Sequence, residues 1–563
     1  MKATYKNIME YLAVFAIWLL IFGKNSLSNL VFVDYIPSTF PDVIKALEMS
    51  GFVYRINLFD IFKSLLTTVN LGSIAFSISM LIAMIISYYF IKKIAGKYSL
   101  LFALIFFFNP FIYSRIMIGQ IGIILSYLIM PIYSFYLLEL FEKQFSNKTL
   151  IKTAISATFM GMFSLQFFVF AVIMFFIAVI FSYKKQNNYM KIISIFIILL
   201  LLLNLYWIQG FFSNTIFSSI NSEHENFFAP KSTGEVSAVT KIIGMWGFWR
   251  EVSYITPFTE IPIVIWFVML AIFVLLALWG YYNDMDKFRA NFFFSLWCLG
   301  ILFATGISHP LIAPIFDFLF KNIPFFNGFR DSHKFLALTA LAYAYFIPLG
   351  IKDLFDRLKE KDINSKIIRI SVIIFTALFI ITYTYPLICL SNQISPVDYP
   401  QAYFDANNYL DSQNTKGYII YLPWQTYLTY SWTQDISSDG RIAVPINAII
   451  KKPVLVGPDK WGSSDSLTDS ITSCISKQST SCLENAGVQY IIKDNCAQFV
   501  DKYSWISNPV YSNSCLEIYE LNPQTIKQTN FSLRFIIALE ISLLTLIVLI
   551  VWIFYQNGHS RKE

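Results

Sequence analysis

Charged side chains are scarce in this chain of 563 residues. Asp, Glu, Lys and Arg make up 14% of it, and it contains only four histidines and six cysteines. A soluble globular protein ordinarily carries about 25% charged residues, whereas here hydrophobic residues reach 56% and the mean hydropathy is +0.57. The sequence also lacks a glycine-rich phosphate loop and a Cys/His motif with zinc spacing. The composition therefore excludes an ordinary soluble enzyme and indicates an integral membrane protein.

Long apolar runs account for this composition. A membrane-spanning helix needs about 20 apolar residues. The sequence predicts about twelve spanning helices, at 8–23, 71–91, 98–109, 121–141, 151–163, 165–182, 190–208, 261–280, 291–307, 334–351, 367–388 and 531–555. Two of them, 98–109 and 151–163, are too short to cross alone and must borrow flanking residues or be partly re-entrant.

Basic residues mark one side of the predicted membrane. If the N-terminus is inside, the basic clusters all fall on the inner side, as the positive-inside rule requires: Lys2 and Lys6; Lys92, Lys93 and Lys97; Lys143, Lys148 and Lys152; Lys184, Lys185 and Lys191; Lys287 and Arg289; six between Lys352 and Arg369; and Arg561 and Lys562. The sequence therefore predicts a multi-pass plasma-membrane protein with both termini in the cytoplasm. Its net charge of +7 comes from inner loops, which indicates contact with anionic membrane lipids and no nucleic acid partner.

The chain divides into three predicted parts. Residues 1–388 form a membrane domain whose main outer loops are 24–70, 209–260 and 308–333. Residues 389–529 lie outside and form a small α/β domain, because a helix-like segment at 402–410 is followed by β-branched and aromatic runs at 417–423, 453–457, 488–493 and 516–521. Residues 530–563 form a final spanning helix and a cytoplasmic tail. The predicted fold class is an α-helical polytopic membrane protein with a small extracytoplasmic α/β domain.

Four of the six cysteines lie in the predicted outer domain: Cys474, Cys482, Cys496 and Cys515. An oxidising compartment favours two disulfides. Three pairings are possible, and proximity in sequence favours Cys474 with Cys482 and Cys496 with Cys515. Four free thiols would suit a cytosolic domain instead, which contradicts the charge pattern.

A carboxylate, Asp34, follows the first predicted helix in the first outer loop. A carboxylate at this depth can accept a proton from a sugar hydroxyl and act as general base; alternatively, it is an interfacial aspartate that caps a loop. Three further acids, Asp42, Glu48 and Asp60, follow in the same loop. Apolar residues at three- and four-residue spacing around them predict helices that lie along the membrane surface.

Basic residues lie at two places on the predicted outer side. Arg115 is the only charge in the polar turn 109–120, which ends on Gln120, and its planar guanidinium suits a phosphate or carboxylate; it can equally extend toward lipid headgroups. Arg330, His333 and Lys334 precede an apolar helix, where unpaired backbone N–H groups favour anions. Their position opposes the positive-inside bias, and we therefore favour a functional role for them.

Two further patterns on the outer side are less specific. His224 lies between Glu223 and Glu225, but adjacent residues on a regular element point apart, so a divalent cation site is weakly indicated. Trp246 and Trp249 belong to an aromatic run, and tryptophans at a membrane interface are more often belt residues than sugar platforms.

Taken together, these segments resemble the GT-C superfamily of multi-spanning glycosyltransferases and, within it, a YfhO-like bacterial and archaeal branch. The resemblance covers most of the chain through short motifs: Asp34; the Asn-Pro-Phe-x-Tyr-x-Arg…Gly-Gln turn from Asn109 to Gln120; the Phe-Arg-x-x-x-Lys-Phe turn from Phe329 to Phe335; and Gly-Val-Gln-Tyr-Ile-Ile at 487–492.

The resemblance implies hexosyl or pentosyl transfer from a lipid-linked donor, a polyprenyl-phosphate sugar, to an extracytoplasmic acceptor that is a glycan, lipid or protein. It places Asp34 as base or metal ligand, with a divalent cation, Mg²⁺ or Mn²⁺, as the possible cofactor. This chain departs from the pattern because no second acid adjoins Asp34, so a two-carboxylate site would need Asp42, Glu48 or Asp60.

Two other functions use the same features. A flippase or transporter of a lipid-linked saccharide would use the cations as a headgroup site, but it predicts charges deep in several helices, whereas here they concentrate near the outer ends. A non-catalytic envelope assembly protein would use the outer domain to bind partners.

Overall fold

The structure, a computed structural model, describes residues 2–41, 58–143, 145–182, 189–211, 222–323, 326–359, 365–433, 440–458, 466–523 and 533–559. Most of these residues are helical. The helices are α1 (Lys2–Phe22), α2 (Leu58–Thr68), α3 (Ala75–Ala95), α4 (Ser99–Phe107), α5 (Pro110–Ile118), α6 (Ile121–Glu142), α7 (Asn147–Phe163), α8 (Leu165–Ser182), α9 (Tyr189–Phe211), α10 (Ser222–Phe228), α11 (Ala238–Ile243), α12 (Pro257–Glu260), α13 (Ile263–Tyr282), α14 (Lys287–Ala304), α15 (Ala313–Asn322), α16 (Leu336–Lys359), α17 (Ser365–Tyr383), α18 (Gln401–Ser412), α19 (Ile446–Ile449), α20 (Ser466–Ser476), α21 (Thr480–Asn485) and α22 (Leu533–His559).

Nine helices in the described part of the chain are long and apolar enough to cross a membrane. A tenth forms if the bent pair 374–383 and 385–392 counts as one span. Two predicted segments are not spans of their own: 98–109 belongs with 71–91 to one candidate span, Gly72–Phe107, and α7 has only 17 residues. The prediction of about twelve spanning helices is therefore corrected to nine or ten, and the two exceptions are the segments whose shortness the sequence already indicated.

Close helix packing holds the bundle together where α13 crosses α16. A Cβ on Gly280 would collide with the carbonyl oxygen of Phe346, and a Cβ on Gly350 would collide with that of Leu276. Small residues at such crossings let backbones approach, which is how helices associate without a hydrophobic driving force.

Ion pairs connect helix ends at one end of the bundle. Lys92 at the end of α3 pairs with Glu10 near the start of α1 at 2.5 Å, and Arg289 in the first turn of α14 pairs with Glu142 at the end of α6, also at 2.5 Å. Both cations belong to the clusters predicted to lie inside. The pairs show that these clusters share one end of the bundle, while the side of the membrane stays a prediction.

The C-terminal part of the chain contains a five-stranded sheet with the order β4-β1-β5-β7-β6. Strands β4, β1 and β5 are parallel, and β7 and β6 extend the sheet antiparallel. A separate antiparallel pair, β2–β3, lies beside it. The strands are β1 (Tyr418–Leu422), β2 (Tyr427–Thr429), β3 (Arg441–Ala443), β4 (Val454–Leu455), β5 (Val488–Asp494), β6 (Tyr511–Ser512) and β7 (Leu516–Glu520). All four strands predicted from the sequence are confirmed.

The predicted cysteine pairing is confirmed as well. Cys474 bonds to Cys482, and Cys496 bonds to Cys515. The first disulfide joins α20 to α21. The second joins the chain just after β5 to the chain just before β7, at the edge of the sheet where these two strands pair.

The segment after α1 lies against this sheet domain. Asn29 donates its side-chain N–H to the carbonyl of Val397 at 2.6 Å, and the backbone N–H of Thr39 donates to the carbonyl of Ala448 at 2.9 Å. Between them, the Val33 carbonyl accepts from the Ala443 N–H at 2.8 Å. The first outer loop and the sheet domain are thus packed as one unit in the region that carries Asp34.

A buried carboxylate, Asp494, ends β5 inside the sheet domain. It accepts hydrogen bonds from the hydroxyls of Tyr403 and Tyr421 and, at 2.8 Å, from the N–H of Cys496. Burial raises the pKa of Asp494 to about 6, although these hydrogen bonds act in the opposite direction. Because the pKa of Asp494 is higher in the folded state than in the unfolded state, the fold favours the protonated carboxyl. This group therefore contributes fully to stability below about pH 4, and the contribution is lost as pH rises through about 6.

We therefore expect Asp494→Asn to remove a pH dependence of stability. Across pH 4 to 7 the free energy of unfolding of the wild type should fall relative to the variant by roughly 3 kcal/mol, since one pKa unit corresponds to about 1.4 kcal/mol. Thermal unfolding of both full-length proteins over this range measures the difference, and other titrating groups cancel. A difference in Tm that does not change with pH would contradict the assignment.

Candidate active site at the end of the bundle opposite the ion pairs

A cavity of about 540 Å³ opens where the bundle meets the sheet domain. Its charged lining residues are one carboxylate, Asp34, and four cations: Lys231, Arg250, Arg330 and Arg441. Its aromatic lining residues are Phe227, Phe228, Trp249 and Tyr427. Four positive groups in one concave site create a strong attraction for an anion, and Asp34 is the one carboxylate among the described lining residues.

A close backbone contact fixes the position of Asp34. Its N–H donates to the carbonyl of Ile118, the last residue of α5, at 2.7 Å. Gly119 then ends this helix in the left-handed region, with φ +83°, and a Cβ there would come within 2.5 Å of Phe32 Cβ and 2.9 Å of Tyr35 Cβ. Only glycine suits both the backbone conformation and the approach of the segment that carries Asp34.

Both carboxylate oxygens of Asp34 accept a hydrogen bond. The hydroxyl of Tyr427 donates to Oδ1 at 2.9 Å, and Nε2 of Gln120 donates to Oδ2 at 3.2 Å. The residue nevertheless stays exposed to the cavity. Asp34 is thus held in one orientation by one residue from the membrane domain and one from the sheet domain, while its carboxylate remains accessible.

Arg115 lies fully buried behind the cavity. Its Nη1 donates to Oε1 of Gln120 and to Oδ2 of Asp331, both at 2.6 Å, and its guanidinium lies 4.6 Å from the ring centroid of Phe248. Burial opposes ionisation of Asp331, but Arg115 and Lys334 outweigh it and lower the pKa of this carboxyl. Arg115 therefore neither reaches lipid headgroups nor lines the cavity; it fixes Gln120, which in turn holds Asp34.

The sequence motif around Arg115 has a structural explanation. The Asn109 side chain caps α5 by accepting from the Ile112 N–H at 3.1 Å, and Pro110 occupies the first helical position, which suits its missing N–H. The hydroxyl of Tyr113 donates to the Ile255 carbonyl at 2.9 Å. Together these residues start α5 at a defined point, so that its last turn presents Gln120 to Asp34.

The second predicted basic cluster is divided by the fold. Arg330 lines the cavity, with its guanidinium 5.2 Å from the ring of Phe228. His333 is fully buried, with Nδ1 3.0 Å from Nη2 of Arg115, and Lys334 is partly buried with Nζ 3.5 Å from the Gly328 carbonyl. Of the three predicted anion-binding residues, the structure brings only Arg330 to the cavity wall, and the other two lie behind it.

Sequence reasoning missed three of the four cavity cations. Lys231, Arg250 and Arg441 come from separate segments, and no spacing pattern groups them in the sequence. Arg441 lies on β3, with its guanidinium 5.8 Å from the ring of Tyr427 on the paired strand β2. Only the packing of the sheet domain against the bundle brings this pair to Asp34.

Among the described residues the cavity offers a divalent cation one carboxylate, so the possible Mg²⁺ or Mn²⁺ cofactor stays a prediction. Asp34 is the one carboxylate among the described lining residues, and four cations surround it. Asp60 pairs with Lys63 at 3.5 Å on α2, and Asp42 and Glu48 lie outside the described residues. In the described segments, no cluster of three or more His, Cys, Asp or Glu could hold a metal.

The Glu-His-Glu triplet on α10 does not converge on one point. His224 and Glu225 are buried, whereas Glu223 is exposed. Burial, followed by the negative charge of Asp317, raises the pKa of Glu225 to about 7. The weak indication of a cation site from the sequence therefore finds no geometric support.

Residues of α2, α3, α6 and α7 line a separate apolar groove of about 370 Å³. Two of its lining residues lead back toward the carboxylate. Phe59 packs on Tyr35, the neighbour of Asp34, with ring centroids 5.9 Å apart, and Leu125 lies in the second turn of α6, five residues after Gln120. The groove and the cavity thus adjoin the same two segments of the chain.

Comparisons with known proteins agree with this architecture. No protein-family model matches the chain, and a search of curated proteins gives no significant match. Among solved structures, the arabinofuranosyltransferase AftD from Mycobacteria matches 91% of this chain with a TM-score of 0.59 and 12% identity, and this chain spans 40% of AftD. A mutant of AftD gives 0.58 over 91%. The Archaeoglobus fulgidus oligosaccharyltransferase matches 86% of the chain and 67% of its own length, with a TM-score of 0.46 and 12% identity.

The chain therefore has a GT-C-like fold, the fold of multi-spanning membrane glycosyltransferases. The likeness spans about two-fifths of AftD and concerns the fold alone. Membership of the YfhO-like branch stays a prediction.

Proposed function

We propose that this protein is a membrane glycosyltransferase that moves a sugar from a polyprenyl-phosphate-linked donor to an acceptor hydroxyl outside the cytoplasm. The observation that carries the proposal is the cavity itself. Asp34, the one carboxylate among the described lining residues, accepts hydrogen bonds from Tyr427 and Gln120 and faces four cations. A base and an anion site in one cavity are what transfer from a phosphate-bearing donor requires, and the GT-C-like fold supports the same reaction class.

In the proposed reaction, the Asp34 carboxylate accepts the proton of the acceptor hydroxyl while the hydroxyl oxygen attacks the anomeric carbon. The bond between that carbon and the phosphate oxygen breaks, and polyprenyl phosphate leaves with the bonding electrons. Arg330, Arg441 and Lys231 stabilise the negative charge that develops on the leaving phosphate. Fixed positive groups of this kind, aimed at developing charge, supply much of a rate enhancement.

The donor lipid has a place in this scheme. A polyprenyl chain is wholly apolar and its phosphate is charged, so the donor needs an apolar surface within the membrane and cations at its edge. The groove lined by α2, α3, α6 and α7 supplies the first, and the cavity supplies the second. Both adjoin residues 34–35 and the start of α6, which supports a donor that enters sideways from the membrane.

Product stereochemistry tests the proposal in detergent, where translocation cannot be observed. Purified full-length protein is incubated with a radiolabelled hexosyl or pentosyl polyprenyl phosphate and with neutral oligosaccharide acceptors. Since Asp34 is the one carboxylate in the described cavity wall, direct displacement is expected, with inversion at the anomeric carbon. A retained configuration would contradict the single-base mechanism, and an intact donor after prolonged incubation would favour a flippase or an assembly protein.

Replacement of a cavity cation is expected to affect the donor more than the acceptor. Arg441→Gln or Arg330→Gln should raise the donor KM about tenfold, because a charge-assisted contact to phosphate contributes roughly 1.5–3 kcal/mol. The acceptor KM should change little. Lys493→Gln is a matched control, since this cation in the sheet domain pairs with Glu517 and does not line the cavity. Equal donor KM values in all the variants would contradict the phosphate site.

A further inference from the structure

A second polar cavity, of about 310 Å³, lies between the first outer loop and the sheet domain. Three parts of the chain form its walls: residues 37–39, residues 70–73 just before α3, and residues 398–404 at the start of the sheet domain. Gly72 permits this arrangement, because a Cβ there would collide with the Thr67 hydroxyl and lie 3.1 Å from the Ser38 carbonyl oxygen. The volume is at the lower end of the range of small-molecule pockets, about 300–1,000 Å³.

Three polar side chains in this cavity have no partner among the described residues. The hydroxyls that line it are otherwise occupied: Ser38 donates to the Phe40 carbonyl at 3.0 Å and Thr39 to the Ala448 carbonyl at 3.1 Å. By contrast, Asn70, Ser73 and Asp398 line the same space, and no hydrogen bond or ion pair joins their side chains to the rest of the described chain. The cavity therefore offers a carboxamide, a hydroxyl and a carboxylate to a ligand.

The charge of this cavity is opposite to that of the first. Among the described residues that line it, Asp398 is the only charged one, and none is Lys, Arg or His. A phosphate or carboxylate ligand would therefore be repelled. A carboxylate and a carboxamide oxygen accept hydrogen bonds, which suits a ligand rich in hydroxyl donors, and the rings of Tyr399 and Phe404 supply an apolar wall.

We propose that this cavity binds a neutral saccharide of the acceptor. An uncharged sugar combines the properties that this cavity requires of a ligand. It has hydroxyl donors for Asp398 and Asn70, it has an apolar C–H face for Phe404, and it carries no charge. The identification as acceptor rests on the proposed function, whereas the binding itself does not.

The position of the cavity agrees with an acceptor. One short segment contributes to both cavities, because Asp34 lines the first and Pro37, Ser38 and Thr39 line this one. The Tyr399 hydroxyl donates to the Pro37 carbonyl at 2.7 Å, so the wall of the saccharide cavity also fixes the segment that carries the base. The acceptor cavity and the proposed base thus belong to the same segment, with Asp34 three residues before Pro37.

Saturation-transfer NMR on the full-length protein tests the site without requiring catalysis. The probes are the methyl glycosides of arabinose, galactose, glucose and mannose, and the detergent must have no sugar headgroup. We expect saturation transfer to at least one glycoside with the wild type and at least a fivefold weaker signal with Asp398→Asn and with Phe404→Ala. Asp405→Asn is the control, because this exposed carboxylate lies next to Phe404 on α18, outside the cavity, and accepts from Gln401.

Failure of the site and failure of the proposed function give different results. The saccharide site would be overturned, even if the enzyme is active, by no saturation transfer to any of the four glycosides or by equal signals in the wild type and both cavity variants. An NMR saturation-transfer signal that these variants abolish would support the site. If the same preparation showed no glycosyltransferase activity, the saccharide site would stand, and only the acceptor assignment and the proposed function would be wrong.

Discussion

Asp34→Asn is expected to lower the kcat of sugar transfer by at least two orders of magnitude. A carboxamide cannot take the proton of an attacking hydroxyl, and a positioned general base contributes about 10²–10⁴ to a rate. The fold should not change, because Asn keeps the size of Asp and because the backbone N–H that donates to Ile118 is unaltered. Donor KM should stay close to that of the wild type, since the four cations remain.

Asp60→Asn is the matched control for this variant. Asp60 follows in the same outer loop, but it pairs with Lys63 on α2 and does not line the cavity. We expect wild-type turnover from it. If Asp34→Asn kept turnover within tenfold of the wild type, Asp34 would not be the base, and the interfacial cap considered from the sequence would be the better description.

Arg115→Met is expected to destabilise the protein by about 3–5 kcal/mol. Removal of one partner of a buried ion pair leaves an uncompensated charge, and the loss is of this size. Here the remaining charge would be the Asp331 carboxylate, which is buried together with Arg115. Thermal unfolding of the purified full-length protein measures the change, and a Tm within 2 °C of the wild type would contradict this role.

The double variant Arg115→Met with Asp331→Leu separates stability from function. Replacing both partners by apolar residues removes the buried charge, so most of the lost stability should return. Turnover should stay low, because Gln120 loses the guanidinium that fixes its side chain at 2.6 Å and therefore holds Asp34 less firmly. Full recovery of turnover together with stability would show that Arg115 acts on the fold alone.

The sequence predicted the site to a limited extent, and the reason is physical. Asp34, Arg115, Gln120 and Arg330 stand out because a charge or polar turn next to apolar helices is unusual. In the structure, hydrogen bonds connect Arg115 through Gln120 to Asp34, and Arg330 lines the same cavity as Asp34. His333 and Lys334 carried the same signal, yet their side chains point behind the cavity wall, which no local pattern encodes.

The sheet domain supplies what the sequence could not show. Its strands follow from β-branched runs, and its disulfides from spacing, but the contact of Tyr427 with Asp34 joins residues 393 positions apart. Arg441 reaches the same cavity through its pairing with β2. These contacts depend on how the domain lies on the bundle, so the domain forms part of the proposed active site and is more than an appendage that binds partners.

The spanning helices, unlike the contacts between the sheet domain and the bundle, can be predicted largely from the sequence. Length and apolarity are properties of the sequence itself, and within the described residues every predicted span contains a helix. The count was wrong in two places: 98–109 forms one candidate span with 71–91, and α7 has only 17 residues. Orientation relative to the membrane rests on the positions of the basic residues and stays a prediction.

The most direct test of the central claim uses vesicles that contain the full-length protein in one orientation, identified by which side of the membrane exposes the sheet domain to added protease. A radiolabelled sugar linked to polyprenyl phosphate is included in the bilayer, and a neutral oligosaccharide acceptor is supplied on one side at a time. We predict labelled acceptor, with release of polyprenyl phosphate, only when the acceptor is on the side of the sheet domain, and none with Asp34→Asn. Movement of the intact lipid-linked sugar across the bilayer, with no labelled acceptor on either side, would contradict the account.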